Sequence, residues 1–176
     1  MKKLVFMMMA FMLCLVSCKN NKPEPTPTPD PYNYERVMNE DLNTYMKTGT
    51  IFYESQITFT TNVCDSNVVI SQILNVFQDG DTCIQVLHDK DGNTKINKEK
   101  DYWLEDRPVN YEMVGLSLQA AIKELDKLDT KVESKFCTLR RPLYKIEYPH
   151  AFYIFGDQHY GHYFAVDSES GEITEM

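Results

Sequence analysis

The chain has 176 residues, 43% of them hydrophobic and 25% charged, with a formal net charge of -8. This fits one globular domain and excludes two full-sized ones, and a lone apolar run at the N-terminus excludes a polytopic membrane protein. The acidic balance argues against nucleic acid as a partner, because it repels phosphate at long range, and no segment recurs at a fixed period as a repeat array requires.

Lys2 and Lys3 form a basic start, and Leu4 to Leu15 is an uncharged apolar run. At about a dozen residues it is too short to span a bilayer, which takes roughly 20, and has the size of a signal-peptide core. It ends in Leu15-Val16-Ser17-Cys18. This sequence resembles the lipobox of bacterial lipoproteins. The resemblance implies that residues 1–17 are removed, that Cys18 is diacylated, and that the partner of the N-terminus is a membrane. Residues 18–31 then read as an anchor and tether. Five of the chain's eight prolines lie between Lys19 and Pro31. Alternating prolines favour extended polyproline II, which spans on the order of 40 Å here at ~3.1 Å per residue. Lys19 follows the cysteine in place of the Asp linked to inner-membrane retention. The expected location is therefore the cell envelope, on the outer membrane.

Residues 32–176 form the expected single domain. Asn33 can cap a helix whose apolar face is Tyr34, Val37, Met38, Leu42, Tyr45 and Met46, with Gly49 as its stop. Ile51, Tyr53, Ile57 and Phe59 suggest a strand, and Val68 to Phe77 another. Asp79-Gly80 and Asp91-Gly92 offer two tight turns, flanking a strand from Thr82 to Leu87. A shorter charged strand begins at Thr94 and is expected to continue through Tyr102-Trp103-Leu104. A second helix runs from Leu118 to Leu128 behind Ser117. It buries Leu118, Ala121, Ile122, Leu125 and Leu128, and turns Lys123, Glu124, Asp126 and Lys127 to water. Strands at Leu143–Tyr148, Phe152–Phe155 and Tyr163–Val166 follow, with Gly156 to Gly161 as a loop. Helices and strands are segregated, so the expected class is α+β: an antiparallel sheet with two helices, the C-terminal helix followed by three strands.

Three stretches of the last third, Leu116-Ser117-Leu118-Gln119-Ala120-Ala121-Ile122, Pro142-Leu143-Tyr144-Lys145-Ile146-Glu147 and Phe164-Ala165-Val166-Asp167-Ser168-Glu169-Ser170-Gly171-Glu172-Ile173, together resemble PepSY domains. The resemblance covers residues 116–174. It departs from the family pattern at Ser170, where Thr is usual, and in the aromatic insertion from Tyr148 to Tyr163. It implies a module that restrains peptidases and carries no catalytic residues. Ala151-Phe152-Tyr153-Ile154-Phe155-Gly156, with Gly161-His162-Tyr163-Phe164-Ala165-Val166, also resembles propeptides and inhibitors of streptopain-type cysteine proteases.

The chemistry-bearing residues are sparse. Among Cys64, Cys83 and Cys137, the first two flank neighbouring strands and form the expected disulfide, leaving Cys137 free. His159 and His162 read as loop histidines rather than a metal site. Asp79 to Asp81 and Asp89 to Asn93 lack the pattern of a calcium loop and read as solvated turns. No nucleophile, phosphate-loop or zinc-protease motif occurs, so neither an enzyme nor a cofactor is expected. The aromatic excess in the last third suggests a contact surface for a protein partner such as an envelope peptidase, made of Phe152, Tyr153, Phe155, Tyr160 and Tyr163. The rival readings are a module binding small ligands or lipid, and a structural envelope component.

Overall fold

A computed structural model describes residues 33–46, 49–103, 107–142, 150–157 and 162–176. The lipobox, the tether, the strand expected at Leu143–Tyr148, His159 and Tyr160 lie outside the described residues. Helix α1 (Tyr34–Tyr45) precedes β1 (Ile51–Phe59), β2 (Ile70–Asp79), β3 (Thr82–Asp89) and β4 (Thr94–Glu99). After a 3-10 turn at Tyr111–Met113 come α2 (Leu118–Leu125), β5 (Phe136–Arg140), β6 (Phe152–Asp157), β7 (His162–Asp167) and β8 (Ile173–Glu175). All eight strands form one antiparallel sheet in the order β4-β3-β2-β1-β5-β6-β7-β8.

This order corrects the expected architecture. The PepSY-like arrangement, a C-terminal helix with three strands of its own, is not what forms. The second half is a helix and four strands continuous with a first half of the same plan. Each half is a helix followed by a meander running outward, and the halves meet where β1 pairs with β5. The plan repeats although no segment of sequence does, because side-chain period and turn placement define it, and many sequences satisfy both. The Asp-Gly turns form as expected, with Gly80 and Gly92 at positive φ. Tyr102 and Trp103 do not extend β4, which ends at Glu99, and α2 stops at Leu125, with Asp126 as its C-cap.

Both helices pack on one face of the sheet, α1 over β2 and α2 over β7. Strand alternation supplies the floor beneath them. Ile57 of β1 stands beside Ile73 of β2 on one side and Cys137 of β5 on the other, and Leu139 stands beside Tyr153. Phe52, Phe77, Ile84, Val86, Phe155 and Val166 complete this layer. Tyr34, Val37 and Met38 of α1 and Leu118, Ala121 and Leu125 of α2 close it from above. A register shift between Phe52 and Glu54 makes Tyr53 the extra residue of a bulge. Phe52 and Ser55 therefore face the helices together.

Candidate functional site

The two helices begin near each other. Asn33 Oδ1 accepts the Arg36 amide at 3.0 Å, and Ser117 Oγ accepts the Ala120 amide at 3.1 Å. The helices are also stitched together, because Glu35 Oε1 of α1 accepts the Leu118 amide at the start of α2, at 3.1 Å. Beside this junction the loop between β1 and β2 leaves a cleft of about 490 Å³, a volume in the range of small-ligand pockets. Its apolar wall is Phe59, Val63, Val68, Ile70, Leu118 and Ile122, and its polar groups include Glu35, Asp65, Gln119, Lys123 and Asp126.

Two of the carboxylates, Glu35 and Asp65, have partners. Lys131 Nζ meets Asp65 Oδ1 at 2.9 Å and holds its carboxyl below the ordinary value. Cys64 is half-buried at the cleft margin. Burial first, and the nearby Asp126 carboxylate second, push the thiol up, so Cys64 stays protonated and weakly nucleophilic. The arrangement can hold a small molecule against an apolar wall with carboxylates at its rim.

Of the residues expected to touch a partner, the four described ones are not brought to one surface. Tyr153 and Phe155 are 0% exposed and lie under the helices. Phe152 is buried on the opposite face, where Tyr163 stands half-buried beyond it. The tyrosine hydroxyl of residue 153 donates to the Leu116 carbonyl at 3.0 Å, which ties β6 to the start of α2. These aromatics therefore serve packing. The expected disulfide is also corrected, since Cys64, Cys83 and Cys137 are all free thiols. Cys64 is on the helix side, near the start of β2, whereas Cys83 pairs with Gln78 at its far end and faces away from the helices. Spanning Ile70 to Gln78 at ~3.3 Å per residue separates them by more than 20 Å.

One polar constellation was not visible in the sequence. Asp41 of α1 accepts Asn75 Nδ2 at 2.7 Å and His88 Nε2 at 2.8 Å, while Thr94 Oγ1 lies 3.1 Å from His88 Nδ1. Acid, imidazole and hydroxyl stand in a row, but the chain of bonds links α1 to β2, β3 and β4 and reads as a strut. Its members lie at sequence separations no short motif covers. His162 is exposed on β7. Among the described residues no cluster of three or more His, Cys, Asp or Glu could hold a metal ion. No helix among them is long and apolar enough to cross a membrane.

No protein-family model matches this sequence, and no curated protein matches it. The motifs that resemble PepSY domains thus gain no family match. The fold is similar to that of a crystal structure described as a candidate lipoprotein (CD1622) from Clostridium difficile 630. The TM-score is 0.56 at 13% identity, and the match covers 85% of this chain and 97% of the other. At that identity the likeness is one of fold.

Proposed function

We propose that the protein is an envelope lipoprotein, anchored through acylated Cys18, whose domain is a non-catalytic binding module held off the bilayer by its proline-rich tether. The observation that carries this is the apolar leader ending in Leu15-Val16-Ser17-Cys18. The fold likeness to a candidate lipoprotein supports it. Lys19 beside the lipidated cysteine favours the outer membrane. The test is metabolic labelling of the full chain with an alkyne fatty acid in a bacterial host. Label and membrane fractionation are expected for the wild type, and both are lost in Cys18→Ser. Unchanged labelling in that variant removes the anchor.

What the module binds is a separate question. The burial of Tyr153 and Phe155 weakens the case for an aromatic contact surface, although Tyr163 is still partly accessible. A peptidase partner is tested by affinity capture from envelope extract with the full chain as bait. Stoichiometric capture of a peptidase whose activity falls on addition of the protein supports regulation, and capture without inhibition rejects it. The cleft between the helices favours a second reading, a small-ligand module.

A further inference from the structure

We infer that the cleft between α1 and α2 takes a small organic cation with an apolar body, an inference that rests on the small-ligand reading above. The charge argument begins with the helix starts, which would ordinarily attract an anion. Here three of their donors are already taken by side chains. Asn33 takes the Arg36 amide, Ser117 the Ala120 amide, and Glu35 the Leu118 amide. Glu35 in effect already occupies the anion position at the start of α2.

The remaining field is negative. Glu35, Asp65 and Asp126 face the cleft, and Lys123 is the one lysine on its lining. Even when Lys131, bound to Asp65, is counted, carboxylates outnumber ammonium groups. The chain as a whole is acidic, which adds attraction at longer range. The wall made by Phe59, Val63, Ile70 and Ile122 removes apolar surface of a ligand from water. An arylalkylamine has both parts, a ring for the wall and an ammonium for the rim. One uncompensated charge at ~4 Å in a water-like dielectric is worth about fivefold in affinity.

The thiol of Cys64 reports on occupancy. It lies between two lining residues, Val63 and Asp65, and near a third, Asp126. Cys83 and Cys137 are buried and should react slowly. The full chain in detergent micelles is alkylated with iodoacetamide, and modification of Cys64 is followed by peptide mass spectrometry. The probes are tryptamine and its neutral isostere tryptophol. Tryptamine is expected to slow alkylation at about one fifth the concentration that tryptophol needs. Lys123→Gln, an exposed change, should strengthen tryptamine protection, and Asp126→Asn should narrow the gap between the probes after correction for its own alkylation rate. Equal potency of the two probes overturns the charge argument, and protection by neither overturns the ligand class. Either failure leaves the Cys18 labelling result untouched, so the anchor reading stands or falls separately.

Discussion

Asp41 is 6% exposed, and one of its oxygens accepts both the Asn75 amide and the His88 ring. Thr94 Oγ1 stands 3.1 Å from Nδ1 on the far side of the ring. Asp41→Ala strands a buried amide and an imidazole donor together, so a loss of about 2–4 kcal/mol is expected in urea unfolding. A titration prediction belongs at the same scale. Burial, with the charge of Glu35 second, pushes the Tyr111 phenol up to about 12, and burial raises Tyr153 and Tyr34 well above the ordinary value. The unfolded chain ionises these phenols near pH 10, while the folded one keeps them neutral. Between those values the unfolded state binds fewer protons, so stability is full below about pH 10 and falls as pH rises through 12. Tyr111→Phe should soften that alkaline decline, read as the urea midpoint at pH 8 and pH 11. Part of this was legible in the sequence. Alternation shows that Phe152 and Tyr153 point to opposite faces, but not which face the helices cover.

At the level of elements, Gly156 is the position where side-chain size matters most. It was read as the start of a loop, yet it lies within β6, opposite Tyr163. Its φ is +147, and an added Cβ would fall 2.4 Å from the His162 carbonyl oxygen. Strain of ~1–3 kcal/mol plus that contact makes Gly156→Ala destabilising by at least about 2 kcal/mol, measurable by thermal unfolding. Gly80→Ala meets nothing within 4 Å and should cost less. Hairpin β2–β3, with its Asp-Gly turn, and the caps Asn33 and Ser117 were readable because each is decided by local chemistry. Strand β5, Phe136-Cys137-Thr138-Leu139-Arg140, was missed. It is short, carries no turn signal in front, and gains its place between β6 and a strand some eighty positions earlier. The edge strand β4 is exposed along its length, and Lys95 and Lys98 discourage further strands from adding to it.

At the level of the molecule, the two halves depend on the seam between β1 and β5. Glu54 and Arg140 are directly paired across it, with Arg140 Nη1 3.4 Å from Glu54 Oε2. Glu54 is 3% exposed, and Gln56 Nε2 also donates to it at 2.6 Å. Glu54→Ala leaves a guanidinium without that partner in a poorly hydrated place, and a cost of about 3–5 kcal/mol is expected in chemical denaturation. A chain cut after Trp103 exposes the β1 edge and should self-associate, which light scattering after gel filtration will show; a stable monomer would mean that the halves fold independently. The antiparallel pairing was legible in the sequence, because the Asp-Gly turns imply it, but the expected α+β balance was not, since the molecule is one eight-stranded sheet with two short helices. The union of two meanders into one sheet was not, since it depends on long-range register rather than on any local pattern. The placement of the thiols has a last consequence. Cys64 and Cys83 lie at opposite ends and on opposite faces of the sheet, and Cys137 is sealed beneath the helices. The fold of the described residues therefore rests on no bridge between these three thiols. It can form at any redox poise, without waiting for thiol-exchange machinery.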